Sequence, residues 1–329
     1  MKYTLEYPSE LPTAPEDFLQ PDVIRAVATQ AEAAGFSAIA LSEHPAPSVK
    51  WRNNGGHNTL DPIAALSFMA AATSQIRLMT NLYVLPFRNP YLSAKALGSL
   101  DLISGGRLIA GVGAGYLRSE FSAVGVDIDR RAELLDEALA ALHSIWTDPE
   151  TPFSGKDFGA VGPVALQRTA QRPHPPIWIG GNGAAAIRRV VEHGNGWMPI
   201  IAAAGMASTM RTTAIENAEQ FAIAVQRLRD RLADAGRDPS SVDIQVVCPH
   251  TDLENEASLR HSRKVLAELA GHGATWAVVH VDGSSPDAAL DYIKAFGEVM
   301  IDHAIAGPDD FLSEQKGEAG ASLDRPPSR

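Results

Sequence analysis

Ile76-Arg77-Leu78-Met79-Thr80-Asn81-Leu82-Tyr83-Val84-Leu85 is the stretch on which the fold turns. It is nearly all apolar and lacks the strict alternation of a half-solvated strand. Such a run suits a parallel sheet covered on both faces. Shorter segments of the same kind lie at 3–7, 37–41, 107–112, 176–179, 196–200, 242–248 and 275–281. Between them run segments of helical spacing, at 22–34, 62–73, 90–103, 129–146, 184–193, 215–235, 257–270 and 287–306. In the segment 129–146, Leu134, Leu135, Ala138, Leu139, Leu142, Ile145 and Trp146 fall on one face and Glu133, Asp136 and Glu137 outside it. Strands and helices in regular alternation predict an α/β protein, a (β/α)8 TIM barrel. An open doubly wound sheet is the rival.

Composition is that of a globular protein with a large buried core, 45% hydrophobic and 20% charged, and 329 residues allow one large domain or two of ordinary size. The net charge of −11 disfavours nucleic acid as a partner, because phosphates are repelled. The single cysteine, Cys248, forms no intramolecular disulfide, which suits a reducing cytoplasm. No stretch reaches the ~20 apolar residues of a membrane helix. The start of the chain, with Lys2 and Glu6, lacks the apolar core of a secretory leader. Residues 1–306 read as a single domain, and 307–329, rich in Pro, Gly, Ser, Asp and Glu, as a mobile tail.

The connections 43–61, 113–129 and 202–216 are insertions that follow strands, so they belong at the C-terminal mouth of a barrel, where such folds keep their chemistry. The insertion 148–175 follows a helix and either folds over the mouth or covers the opposite end. Three motifs sit at predicted strand ends. Gly180-Gly181-Asn182-Gly183 leads straight into the helix from Ala184, so unpaired N–H groups and the helix dipole make an anion site; a tight turn without ligand is the alternative. Gly111, Gly113, Ala114, Gly115 and Tyr116 leave room for a flat ligand, or serve a turn of positive φ. Ser42-Glu43-His44-Pro45 puts an imidazole suited to proton transfer at a strand end, with a neighbouring carboxylate to tune it; a solvated loop histidine is the alternative. Trp51, His57, Phe153 and Phe158 suggest an aromatic entrance, or surface packing. Cys248 and His250 have no second pair at zinc spacing, so no metal is expected.

In order along the chain, Ser42–Pro45, Ile76–Pro90, Leu100–Leu108, Gly111–Tyr116, Pro176–Asn182 and Gly194–Trp197 resemble blocks of the bacterial luciferase-like superfamily. Within it they are most similar to oxidoreductases that use the deazaflavin coenzyme F420. The resemblance implies a luciferase-like barrel over 1–306, a homodimer, and hydride transfer between F420 and a small organic substrate. It implies a cofactor ring against a strand-three bulge with a cis peptide at Asn81–Leu82, the phosphate on Gly180, Gly181, Asn182 and Gly183, and Gly113, Ala114, Gly115 and Tyr116 beside the ring. His44 contacts ring or substrate as acid or base, with Glu43 tuning it. FMN-dependent two-component monooxygenases, which take reduced flavin from a partner reductase and consume O2, share the barrel and give the alternative. Sugar and alcohol dehydrogenases of the superfamily often have Glu where Tyr116 stands, and Asp where Glu43 stands.

Overall fold

The computed structural model describes residues 1–301. The predicted tail and the end of the last predicted helix lie outside the described residues.

The strands are β1 (Lys2–Glu6), β2 (Ala38–Leu41), β3 (Arg77–Thr80), β4 (Tyr83–Val84), β5 (Leu108–Gly113), β6 (Ile177–Gly180), β7 (Gly196–Met198), β8 (Asp243–Val247) and β9 (Trp276–Val279). Their order is β3-β2-β1-β9-β8-β7-β6-β5-β4, and β3 also pairs with β5. β3 lies beside the start of β5 (Leu78 opposite Leu108) and β4 beside its end (Tyr83 opposite Val112). The two are halves of one stave, so the closed ring has eight parallel staves. The predicted 76–85 strand is interrupted at the Asn81–Leu82 peptide, which is cis.

Alternation along each stave explains the two hydrophobic layers. On β1, Tyr3 and Leu5 join the outer core under the helices, whereas the Thr4 hydroxyl donates to Gln245 at 2.7 Å in a buried contact between staves. Ala38, Ala40, Met79, Ile109, Trp178, Met198 and Trp276 form a separate inner cluster. Alanines on β2 make space for the two indoles, which meet edge to face at 5.2 Å.

The helices are α1 (Pro21–Ala33), α2 (Val49–Asn53), α3 (Pro62–Ala72), α4 (Pro90–Ile103), α5 (Arg118–Ala123), α6 (Arg131–Thr147), α7 (Ala184–His193), α8 (Ala204–Thr209), α9 (Ala218–Asp234), α10 (Glu256–His272) and α11 (Pro286–Phe296). Asp61, Asn89, Asn217 and Ser285 cap α3, α4, α9 and α11 with side-chain oxygens, and proline opens α3, α4 and α11. The short α2, α5 and α8 lie inside the three insertions that follow strands.

The insertion 148–175 does not cover the mouth. It runs along α4 and α6, where Tyr91 donates to the Phe153 carbonyl and Lys156 meets Glu133. It ends at the other rim of the barrel, where Gln171 bonds Asp101 and accepts from Arg77. Phe153 and Phe158 stack on each other, and Phe158 meets Tyr91 edge-on, so they belong to this outer packing and not to an entrance.

Glu32 on α1 ties the turn before β3. Its carboxylate accepts from the backbone N–H groups of Ser74, Gln75 and Ile76 at 2.9, 2.6 and 2.8 Å. Burial pushes this carboxyl up, but the N–H donors outweigh it and hold the group below its usual range. Glu32→Ala is expected to lower stability by about 2 kcal/mol, the scale of hydrogen bonds to a charge. Because the folded-state pKa is depressed, this contribution is full above the unfolded-state value of about 4.3 and fades as pH falls through the folded one. Urea midpoints of the two proteins at pH 7 and pH 3 check it: the difference shrinks at the lower pH.

Candidate active site

Leu41 ends β2, and the chain turns so that the His44 ring enters the mouth. Its Nδ1 lies 3.3 Å from both carboxylate oxygens of Glu120, and the two side chains are 9% and 2% exposed. Trp51 tilts against the imidazole at 4.5 Å, and His57 and Tyr116 meet it edge-on at 5.2 and 6.1 Å. The three partners come from α2, the loop after it and the loop after β5. Burial first, and then the neighbouring His44, hold His57 below the ordinary histidine value. Burial likewise raises the Tyr116 phenol.

The carboxylate beside His44 is thus Glu120 and not Glu43, as adjacency in sequence suggested. Glu43 accepts the Val84 N–H at 2.6 Å and pairs with Arg88, whose guanidinium lies over the Tyr83 ring at 4.3 Å. Burial pushes the Glu43 carboxyl up, and Arg88 only partly counters it. Glu43 therefore anchors the β4 end of the broken stave. Glu120 escaped sequence reasoning because α5 is six residues long and has no periodicity to reveal it.

The glycines that suggested room for a flat ligand are occupied by the protein itself. A Cβ at Gly111 would lie 2.0 Å from the Thr80 carbonyl oxygen. Cβ atoms at Gly113 and Gly180 would lie 2.8 and 2.4 Å from Leu82 Cδ1. These positions admit the bulge at Asn81–Leu82, with Leu82 packed on the inner cluster. Gly115, at φ +73°, is the turn that carries the chain past Ala114 toward Tyr116.

At the 180–183 turn, Asn182 is a clamp. Its side-chain amide donates to the Ile200 and Thr213 carbonyls, and its carbonyl accepts from Ile200 N–H. Its backbone N–H donates to the Thr212 hydroxyl at 2.8 Å. Gly181 takes φ +107°, and Gly183 stands at the N-cap of α7 with no side-chain cap. Among the described residues, the N–H groups of Gly183, Ala184 and Ala185 have no protein acceptor. They form a cluster of donors at a helix N-terminus, the arrangement that suits a phosphate.

Beside Asn81 stands a second constellation that sequence reasoning missed. Asn81 Nδ2 donates to Glu6 at 3.1 Å, and the other Glu6 oxygen pairs with His280 Nε2. Burial pushes Glu6 up, but His280, His57 and Asn81 together hold it below its usual value. His280 is raised, chiefly by its bond to Glu6. Glu10 lies buried behind, bonded by Ser42 N–H and the Thr59 hydroxyl; burial and the Glu6 charge raise its carboxyl well above the ordinary value. Alternation along β1 carries the signal, since Glu6 shares the inward face of Thr4. Among the described residues no group of three or more His, Cys, Asp or Glu side chains could hold a metal ion. No described helix is long and apolar enough to cross a membrane.

A family model described as luciferase-like monooxygenase matches residues 5–310. The chain belongs to this family. An uncharacterised protein of Mycobacterium tuberculosis is 30% identical over 286 residues, 82% of this chain and 90% of that one. An F420-dependent glucose-6-phosphate dehydrogenase of Amycolatopsis mediterranei is 22% identical over 84% of this chain and 86% of its own. An FMNH2-dependent dimethylsulfone monooxygenase of Pseudomonas putida is 32% identical over 50% of this chain and 45% of its own. The crystal structure of the monooxygenase RslO1 from Streptomyces bottropensis superposes with a TM-score of 0.75 at 23% identity, covering 92% of this chain and all of that one, which establishes the shared barrel. The family thus includes oxidoreductases of both cofactor types.

Proposed function

We propose that the protein is an F420-dependent oxidoreductase that moves hydride between the deazaflavin and a small organic substrate, with His44 as its acid–base group. The observation that carries the reading is the His44–Glu120 pair, held among Trp51, His57 and Tyr116 in a barrel mouth. A buried carboxylate on Nδ1 fixes the imidazole orientation, so the other ring nitrogen faces the mouth as proton acceptor or donor. When bound, F420 supplies a two-electron hydride donor or acceptor. His44 takes the proton that a hydroxyl loses as its carbon is oxidised, or returns it to a carbonyl oxygen in the reverse sense. Trp51 and Tyr116 pack around the reacting centre and exclude water. Asn81 and Leu82 border the ring, and the 183–185 amides hold the phosphate.

F420 is favoured over FMN because the ordered sequence blocks read closest to the F420-dependent branch; three F420-dependent relatives align over 84%, 52% and 51% of the chain and the FMNH2-dependent one over 50%. The two-component FMN monooxygenase, supplied by a reductase, is the second reading. The chain offers no Glu at Tyr116, so alcohol oxidation through a carboxylate there is excluded from the proposal. Homodimerisation, by family resemblance, and a cytoplasmic location, which the single cysteine suits, complete the reading.

The phosphate assignment has its own test. Ala184→Pro removes one N–H at the first helical position, which tolerates proline, so α7 stays folded. F420 affinity is expected to fall about tenfold, as for one lost hydrogen bond to a charge, and affinity for its dephosphorylated chromophore to stay unchanged. Equal losses for both ligands would place the phosphate elsewhere.

A further inference from the structure

The mouth carries two carboxylate–imidazole pairs, and hydride transfer with one proton uses only one of them. His44–Glu120 is the first. Glu6–His280 is the second, built from the ends of β1 and β9. They share one rim: His57 meets the His44 ring at 5.2 Å, and its charge acts on Glu6. Glu6 also holds Asn81, so the second pair adjoins the bulge at the other side of the mouth.

His280 differs from His44 in exposure. Its side chain is 42% exposed against 9%. Glu6 engages Nε2, and among the described residues no protein group pairs with Nδ1. When the imidazole is neutral, the proton sits on Nε2 facing Glu6 and Nδ1 accepts from a hydroxyl. When it is charged, Nδ1–H donates to a carbonyl or hydroxyl oxygen. In both forms it recognises an oxygen.

We propose that His280, oriented by Glu6, is a second oxygen-binding group of the mouth, so that the substrate carries two oxygen functions, one for His44 and one for His280. Substrates of this class are diols, hydroxyketones and dihydroxy aromatics; Trp51, His57 and Tyr116 line the first position with ring faces and edges that favour the last. The inference rests on the reading of the mouth as the substrate site.

The group that bears directly on the charge state of His280 is Glu6, on which His57 and Glu10 act in turn. His250, at the end of the neighbouring β8, acts on Asp282 instead. The experiment is calorimetric titration of the full chain, with and without F420, using phenol, catechol, resorcinol and hydroquinone as probes. At least one dihydroxy probe is expected to bind about tenfold more tightly than phenol, the scale of one good hydrogen bond. His280→Gln, and more weakly Glu6→Gln, should erase that excess and leave phenol unchanged. No excess for any dihydroxy probe, or an equal loss for phenol in His280→Gln, would overturn the proposal. Melting curves of both variants and their F420 affinities accompany the titration: failure of F420 to bind even the wild type counts against the cofactor reading, whereas the phenol comparison reports on His280 alone.

Discussion

His44→Ala is expected to lower turnover about 10²–10⁴-fold while F420 still binds. Among the described residues the His44 imidazole has a 2% exposed carboxylate at one ring nitrogen and aromatic rings around it, and α5 brings Glu120 to it. Glu120→Gln keeps the size of the side chain but replaces one carboxylate oxygen beside Nδ1 with an amide, so the ring is held less firmly. Its loss should therefore be smaller than that of His44→Ala. Steady-state kinetics on any substrate that turns over, together with cofactor titration, separates the two effects. A His44→Ala enzyme within threefold of wild type would remove His44 from the chemistry.

The second large effect is on stability. Arg88→Met leaves Glu43, 2% exposed at its side chain, with only the Val84 N–H for its charge. Breaking one side of a buried pair costs about 3–5 kcal/mol, because the remaining charge stays out of water. Burial already raises the Glu43 carboxyl with Arg88 present, and removing Arg88 raises it further. A carboxyl raised in the folded state loses stability as pH climbs through and above its unfolded value, so the deficit of Arg88→Met should be largest at neutral pH and shrink toward pH 4. The double variant Arg88→Met/Glu43→Leu should recover most of the loss, since two apolar side chains need no partner. Urea denaturation at two pH values decides it. A deficit below about 1 kcal/mol at pH 7 would mean that water reaches Glu43.

The barrel was legible because burial on both faces leaves a plain signature. Each stave was predicted to within a few residues, including β7, which is three residues long. The break between β3 and β4 was not legible from periodicity, since Asn81 and Leu82 interrupt no apolar pattern; only the family resemblance pointed there. The site was half legible. His44, the Gly181 turn and Tyr116 stand at strand ends, and strand ends can be read. Trp51 and His57 are legible as aromatic lining but not as partners of His44, and Glu120 is not legible in any role: the three arrive on short loop elements whose placement is fixed by packing and not by sequence spacing. Adjacency misled in the case of Glu43, because neighbouring residues on extended chain point to opposite sides. The glycines misled for a related reason. Sequence shows that space exists at Gly111 and Gly113, but not that the Thr80 carbonyl and Leu82 fill it.

Cofactor choice is the claim on which the account depends. Equilibrium titration of the protein with F420 and, in parallel, with FMN, followed by cofactor fluorescence, tests it most directly. Saturable binding of F420, one per chain and at least about tenfold tighter than FMN, is the predicted result. Saturable FMN binding with no F420 saturation, or the absence of binding by either, would contradict it.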